Sequence, residues 1–304
     1  MLRAALALAL ATLAAASCAE PVATWMAADW DEPAVFAPGI ISTDDREYGI
    51  TFTPDGREAY FTRRGRRGPS IIMVTHFQDG AWSNPRVAEF ATEWDEAPFI
   101  SADGDTMLFV SRRPMQGSWD RSENIWVMER REDGWSEPEP LPGTINQPEA
   151  EIDDFDVGTE SGPTLLPDGT LLYWTRASPD WGSDIYVAEP DDEGAYGSSR
   201  PLRLNTSREE SHAALSPDGR YLIFQGYGTA GGYGDDDLYA SRRTEYGWSR
   251  PEPLPSPINT IAGEGHPAFS PDGRLFFFSS DRGGGFDDIY VVSTDALGLS
   301  SDTP

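Results

Sequence analysis

The stretch Ala268-Phe-Ser-Pro-Asp-Gly-Arg-Leu-Phe-Phe-Phe-Ser-Ser280, followed by Asp288-Ile-Tyr-Val-Val292, decides the fold. An alternating apolar strand enters a Pro-Asp-Gly turn, a very apolar strand leaves it, and a loop leads to a third strand that Asp288 opens. Pro and Asp favour the early positions of a turn, and Gly takes the left-handed position. The stretch therefore predicts three short antiparallel strands.

The same unit occurs four more times along the chain, at 51–57, 100–105, 165–170 and 215–220. The turn glycines follow one another at intervals of 48, 65, 50 and 54 residues, and they are Gly56, Gly104, Gly169, Gly219 and Gly273. A repeat of about 40–50 residues with four strands is typical of a propeller blade. The repeats therefore predict a single all-β domain, because the blades of a propeller share one closed ring.

A fourth strand is predicted from five segments that begin with Trp or Tyr and contain Pro, at 30–36, 82–87, 135–141, 196–202 and 248–254. Pro suits the edge of a sheet, where a missing N–H costs little. The first segment precedes every turn unit, and the last turn unit has no such segment after Val292. We therefore predict a five-bladed β-propeller over residues 30–299, with four antiparallel strands per blade, closed by the N-terminal strand near Trp30. A six-bladed ring is the alternative, and it would need a further repeat.

The first 17 residues carry one positive charge, a short Ala/Leu segment and then small residues, which are the three parts of an export signal. Cys18 follows as the only cysteine of the chain, so it cannot form an internal disulfide. Residues 15–18 resemble the bacterial lipoprotein signal, in which the Cys becomes lipidated; ordinary signal cleavage is the alternative. We interpret residues 18–29 as a tether. Ala19 and Glu20 follow Cys18, with no Asp directly after the cysteine. By resemblance to bacterial lipoprotein sorting signals, this favours a periplasm-facing outer-membrane lipoprotein.

Taken together, the Ser-Pro-Asp-Gly, Asp-Ile-Tyr-Val and Trp-Ser-x-Pro motifs resemble the WD40-like, TolB-type (PD40) propeller repeat family. The resemblance covers roughly residues 30–292 and implies the propeller fold and an exported bacterial lipoprotein. It implies no particular activity, because one fold hosts many unrelated functions.

The charge of the chain is strongly one-sided, with 51 acidic residues against 23 basic ones and a net charge of -28. This balance argues against a nucleic-acid partner, whose phosphates need cationic patches, and against adsorption to anionic lipid. We expect an envelope protein, a peptide or a glycan as partner, and contact with the membrane through a lipid anchor only. A merely solvated acidic surface is the alternative.

One carboxylate stands at the start of each predicted innermost strand, and the five are Glu47, Asp95, Glu160, Glu210 and Glu264. Because the innermost strands line the axis, we expect an acidic ring at one mouth of the channel that binds a ligand or cation. The alternative is that each carboxylate caps its strand or pairs with an arginine near the end of the second strand. Those arginines are Arg63, Arg112, Arg176 and Arg282, and blade four has Gln225-Gly226 instead.

Two metal sites are conceivable from the pattern. His212 and His266 each follow a ring glutamate by two residues, and residues i and i+2 share one side of a strand. His212 and His266 with Glu210 and Glu264 could therefore hold a divalent metal, and hydrogen-bonded histidines between blades are the alternative. Calcium is the second candidate, at acidic runs that do not match EF-hand spacing: Glu149, Glu151, Asp153, Asp154 and Asp156, and Asp235-Asp236-Asp237. A solvated acidic loop is the alternative there.

Nucleophilic catalysis finds little support, because the chain has neither a Gly-x-Ser-x-Gly elbow nor a phosphate-binding glycine loop. We therefore predict a lipid-anchored, non-enzymatic binding or scaffold propeller of the cell envelope. The alternative is a glycan-active hydrolase or lyase that uses carboxylates of the axial funnel, with Glu210 and either Glu264 or Asp95 as candidates. No cofactor and no catalytic residue can be assigned.

Overall fold

The computed structural model describes residues 23–115, 123–146, 159–176 and 182–299. The strands of these residues form five antiparallel sheets. The first strand of each sheet contacts the first strands of the two neighbouring sheets, and the fifth contacts the first. The sheets therefore close into a ring around an axis, and the predicted five-bladed propeller is confirmed.

The first elements of the described residues are a 3-10 helix, Thr24–Ala27, and the strand β1, Ala34–Val35. Blade 1 contains β2 (Arg46–Phe52), β3 (Glu58–Arg64), β4 (Ser70–Gln78), β5 (Ala81–Trp82) and β6 (Arg86–Val87). Blade 2 contains β7 (Asp95–Ile100), β8 (Thr106–Ser111), β9 (Asn124–Arg131), β10 (Gly134–Trp135) and β11 (Glu139–Pro140).

Blade 3 contains β12 (Glu160–Leu165), β13 (Leu171–Thr175), β14 (Asp184–Ala188) and β15 (Ser199–Pro201). Blade 4 contains β16 (Glu209–Leu215), β17 (Tyr221–Tyr227), β18 (Asp236–Thr244), β19 (Gly247–Trp248) and β20 (Glu252–Pro253). Blade 5 contains β21 (Glu264–Phe269), β22 (Leu275–Ser280), β23 (Asp288–Ser293) and the N-terminal β1, and a 3-10 helix, Thr294–Leu297, follows it.

The N-terminal strand closes the ring as predicted. In β1, Ala34 lies opposite Val291 and Val35 lies opposite Tyr290. Just beyond the strand, the Phe36 amide donates to the Ile289 carbonyl at 2.8 Å. The free edge that an open ring would expose is thus covered by the chain's own start.

The outer strands lie at the blade edges, and in blades 1, 2 and 4 each is split into two short pieces on the same third strand. The break falls at the Trp-Ser-x-Pro motif. In blade 1, the hydroxyl of Thr75 on the third strand donates to the carbonyl of Ser83, which lies within the break, at 2.6 Å. Pro140, Pro201 and Pro253 lie within outer strands, where no further strand needs their missing N–H.

Asparagine side chains fasten the connections that follow blades 2, 3 and 4 to the third strand of the preceding blade. The amide of Asn259 accepts from the Leu238 N–H and donates to the Leu238 carbonyl, both at 2.9 Å, as a neighbouring strand would. Asn146 makes the same pair of bonds with Ile125, and Asn205 makes it with Ile185. These side chains thus extend the backbone ladder where the outer strand has ended.

Residues 24–27, part of the predicted tether, are folded against the propeller. In the first 3-10 helix Trp25 and Met26 are buried, and the Trp25 indole donates to the Gly56 carbonyl at 2.8 Å. Residues 24–27 therefore pack on blade 1 and are not a free tether. The predicted signal peptide and Cys18 lie outside the described residues. No helix among the described residues is long and apolar enough to cross a membrane.

Candidate functional site: the axial channel

The five carboxylates at the starts of the innermost strands do not form an open ring. Each has at most 4% of its surface exposed, and they are Glu47, Asp95, Glu160, Glu210 and Glu264. The expectation of an exposed acidic mouth at this end of the axis is therefore wrong. A ligand could reach these groups only if the surrounding loops moved.

Neighbouring groups hold these carboxylates in place. The Thr260 N–H and hydroxyl donate to the two carboxylate oxygens of Glu264, at 2.8 and 2.7 Å, and Arg282 lies 3.1 Å from one of them. Burial raises the pKa of Glu264, while Thr260 and Arg282 oppose the rise. The same threonine contacts hold Glu47 through Thr43 and Glu210 through Thr206. These bonds cap the strand starts.

Arginines neutralise the buried charge in three blades. Besides Arg282, Arg63 lies 2.7 Å from Glu47, and Arg113 lies 2.6 Å from Asp95. Arg112, the residue predicted for blade 2, pairs with Glu123 instead. Pairing with an arginine of the same blade, one of the alternatives drawn from the sequence, thus describes blades 1, 2 and 5.

Blade 4 lacks this arginine. Gly226 lies opposite Glu210, and a side chain at Gly226 would meet Thr229 and the ring of Tyr239. No arginine pairs with Glu210 among the described residues, and burial and then the nearby Asp184 raise its pKa, against the bonds from Thr206. Glu210 is therefore a buried carboxylate that only hydrogen bonds compensate.

This difference between blades predicts different responses to neutralisation. At neutral pH we expect Glu210→Gln to change the free energy of unfolding by less than about 1 kcal/mol, because the amide can still accept from Thr206. Glu264→Gln should cost about 1.5–3 kcal/mol, the range for a hydrogen bond to a charged group, because Arg282 loses its partner. Urea unfolding of both variants measures the difference. Equal losses would contradict the assignment of Arg282 to Glu264.

Each innermost strand carries a β-bulge just after its carboxylate, as the shifts in pairing register show. The residue two positions after the carboxylate has a positive φ in every blade: Gly49 (60°), Ala97 (50°), Gly162 (58°), His212 (42°) and His266 (51°). A bulge breaks the alternation that would place residues i and i+2 on one side.

The bulges explain why the predicted metal centre does not form. Among the described residues no three His, Cys, Asp or Glu side chains are placed to hold a metal ion. His212 and His266 line the axial channel, whereas Glu210 and Glu264 are buried against their threonines. The two histidines thus come together without the two glutamates.

The acidic run at the start of β18 also has structural contacts. One carboxylate oxygen of Asp237 accepts hydrogen bonds from the N–H groups of Tyr233 and Gly234, at 2.9 and 3.0 Å. Asp236 accepts a hydrogen bond from the side-chain amide of Gln225 at 2.9 Å. The other calcium candidates, residues 149–156, lie outside the described residues.

A channel with a volume of about 640 Å³ runs along the axis. The innermost strands of all five blades line it from their bulges to their turns, which read Pro-Asp-Gly in four blades and Ala-Asp-Gly in blade 2, and this Pro-Asp-Gly face forms its mouth. The wall is more apolar than polar, with Phe99, Leu165, Leu215 and Phe269 among its apolar residues and Thr51 and Thr164 among its polar ones. A concave apolar site with a few polar groups is the usual form of a ligand pocket.

The turn face that surrounds this mouth carries one exposed aspartate per blade: Asp55, Asp103, Asp168, Asp218 and Asp272. In each turn one carboxylate oxygen accepts from the backbone N–H two residues later, at 3.0–3.1 Å. Hydrogen bonds from Ser101 and from the Thr170 N–H lower the pKa values of Asp103 and Asp168. Sequence reasoning assigned these aspartates to turns only, although their fivefold repetition was the available signal of a charged face.

A stacked pair of histidines lies at the other end of the channel. The rings of His212 and His266 are 4.0 Å apart between centroids, and Tyr48 packs on His266 at 4.7 Å. Burial lowers the pKa of His212 to about 4 and that of His266 well below its ordinary value, with His212 and Arg46 adding repulsion. Both imidazoles are therefore neutral at neutral pH.

No protein-family model and no curated protein matches the chain. Solved structures do resemble it: TolB from Acinetobacter baumannii has 18% identity and a TM-score of 0.54 over 83% of this chain and 53% of that one. This chain thus spans about half of the TolB chain. A thermostable family-43 glycoside hydrolase has 13% identity and a TM-score of 0.54 over 84% and 90% of the two chains. The Bacillus subtilis arabinanase Arb43A has 13% identity and a TM-score of 0.52 over 85% of this chain and 96% of that one. At such identities the likeness shows the β-propeller fold alone.

Proposed function

We propose that the protein is a non-enzymatic binding propeller of the bacterial cell envelope, and that its ligand enters the axial channel through the Pro-Asp-Gly face. The observation that carries this proposal is the channel itself: an apolar cavity of about 640 Å³, shared by all five blades, whose mouth lies on a face with five exposed aspartates.

The chemistry of the channel selects the ligand. Apolar walls favour an apolar group. Arg220 pairs with Asp218 and Arg243 lines the mouth, and the remaining aspartates around it favour positive charge beside the apolar group. A peptide segment with apolar residues between arginines or lysines combines both features. The net charge of -28 extends the same preference to the encounter with the ligand, because oppositely charged partners associate faster.

The glycan-active alternative rests on likeness of fold alone. Its candidate carboxylates, Glu210, Glu264 and Asp95, are buried, and each is held by a threonine. A general acid must come within hydrogen-bond reach of the glycosidic oxygen, and these three cannot do so in the structure as it stands.

A lipid on Cys18 would orient the molecule. The Ala23 amide donates to the Asp55 carbonyl, so the described chain starts on the Pro-Asp-Gly face. The five residue steps from Cys18 to Ala23 span at most about 18 Å when extended. As a proposed lipoprotein, the molecule would thus hold its channel mouth towards the membrane.

Two labelled pentapeptides test the proposal. Both carry Leu-Phe-Leu in the middle, one between two arginines and the other between two glutamates. By fluorescence anisotropy we expect the arginine form to bind at least about tenfold tighter, and added salt to weaken it. Ala268→Trp, which places an indole in the channel, should abolish binding. Tyr246→Trp, at an exposed position, should leave binding unchanged. Equal binding of both peptides, or binding that survives Ala268→Trp, would contradict the proposal. Turnover in a polysaccharide screen that Glu210→Gln or Glu264→Gln abolishes would instead establish the enzyme.

A further inference from the structure

The histidine pair gives the inner end of the channel a defined chemistry. Five bulges meet there, and three of their positive-φ residues are small, namely Gly49, Ala97 and Gly162. The two remaining positions carry His212 and His266, whose rings occupy the space that the small residues leave. A side chain at Gly162 would lie 2.7 Å from Trp174 and 3.0 Å from His212, so blade 3 has no room for a third ring.

The hydrogen bonds around His266 favour the tautomer that carries the proton on Nδ1. The Ser279 hydroxyl donates to the Gly265 carbonyl at 3.2 Å, so its oxygen is left to accept a bond from Nδ1 of His266, 3.0 Å away. A neutral imidazole has one N–H and one acceptor nitrogen. Nε2 of His266 is therefore the acceptor.

His212 has the same tautomer but its acceptor is occupied. The Trp174 indole can only donate, and its Nε1 lies 3.3 Å from Nε2 of His212. Nδ1 of His212 faces the Ser211 hydroxyl at 3.1 Å. By contrast, Nε2 of His266 has no hydrogen-bond partner in the described part of the chain. This atom is also not fully buried. It is therefore open to the channel that its ring lines.

We propose that Nε2 of His266 forms a recognition subsite that accepts a hydrogen bond from the hydroxyl or indole N–H of an aromatic side chain inserted into the channel. The inference rests on the proposed binding of a peptide in this channel. Tyrosine and tryptophan suit the site because each joins a large apolar body to one donor. A neutral acceptor in apolar surroundings favours a neutral donor, since a charged group would lose its hydration without gaining a counter-charge.

The first test needs no ligand. The chain has three histidines, so 15N labelling of histidine gives three resolvable rings. We expect long-range 15N–1H spectra at neutral pH to show His212 and His266 as neutral rings protonated on Nδ1. A proton on Nε2 of His266, or a charged ring, would overturn the proposal.

The second test compares p-cresol with 4-methylanisole, which has the same aromatic body but no donor. We expect p-cresol to bind about fivefold tighter, the equivalent of about 1 kcal/mol for one neutral hydrogen bond, and to move the Nε2 resonance of His266. His266→Ala, which blade 2 tolerates at Ala97 with nearly the same φ, should make the two probes bind equally. The control His76→Ala, at a histidine that does not line the channel, should preserve the preference for p-cresol.

The outcomes separate this proposal from the one it rests on. Binding of both probes with equal affinity to the wild-type protein would leave the channel as a binding site and refute the role of His266. Failure of both probes to bind, or binding that moves neither channel histidine, would refute the channel site as well.

Discussion

Arg282→Met should lower the free energy of unfolding by about 3–5 kcal/mol, the usual cost of leaving one member of a buried ion pair without its partner. Arg282 lies 3.1 Å from Glu264, whose side chain is fully buried. It also donates to the Pro257 carbonyl at 2.9 Å and to the Ile258 carbonyl, which ties the loop before blade 5 to β22. Urea unfolding of the purified protein measures the loss.

The pH dependence of this variant gives a sharper signature. Burial already holds the pKa of Glu264 above its ordinary value of 4.5, and loss of Arg282 raises it further. A group whose pKa is raised on folding destabilises the folded state as the pH rises through that folded-state pKa, and the penalty disappears as the pH falls. Arg282→Met should therefore recover part of its stability relative to the wild type between neutral pH and about pH 5.

Two further variants serve as controls for this interpretation. Arg86→Met breaks an exposed pair with Glu89 and should cost less than about 1 kcal/mol. Adding Glu264→Gln to Arg282→Met should restore part of the loss, because the buried charge is then gone. A loss in Arg282→Met no larger than in Arg86→Met would show that Glu264 does not depend on its arginine.

His212 alone should make the propeller acid-sensitive by about 3 kcal/mol. The pKa of His212 falls from its ordinary 6.5 to about 4 on folding, and each pKa unit corresponds to about 1.4 kcal/mol. A group whose pKa is lowered on folding stabilises the folded state fully above its unfolded pKa, and that stability is lost as the pH falls towards the folded-state pKa. The loss should thus appear between about pH 6.5 and pH 4.

Urea unfolding of the wild type and of His212→Ala across this pH range measures the effect. The buried carboxylates respond in the opposite direction, but they are the same in both proteins, so the difference between the two curves isolates the histidine. We expect the wild type to lose about 3 kcal/mol more than the variant on acidification. Parallel curves would show that His212 is not held neutral in the channel.

The fold was predictable because its information is local and repeated. Each turn, Pro-Asp-Gly in four copies and Ala-Asp-Gly in the second, has its own chemistry, and the count leaves an unmatched outer-strand segment at Trp30 and a last turn unit without an outer strand of its own. The pairing of Ala34 with Val291 follows from that count. The position of Pro140, Pro201 and Pro253 in the outer strands, at the sheet edges, was predictable for the same reason.

The site was harder to predict because it depends on departures from regular strand geometry. A positive φ at Ala97, His212 and His266 is unusual for residues other than glycine, and Gly49 and Gly162 were the only direct hints of a bulge. Without the bulge, Glu210 and His212 belong on one side of a strand, and the metal site was inferred from that. The burial of the carboxylates had a usable signal, the threonine four residues earlier in blades 1, 4 and 5, namely Thr43, Thr206 and Thr260.

The channel exists as a binding site only if the N-terminal strand closes the ring, and amide hydrogen exchange at Phe36 is the most direct test of that closure. Its N–H donates to the Ile289 carbonyl of the last blade at 2.8 Å, and on the same seam the Ser293 N–H donates to the Trp30 carbonyl at 2.7 Å. We predict that both amides exchange as slowly as those in the middle of β22. Exchange at Phe36 as fast as at the exposed Ile261 would show an open ring and contradict the axial channel.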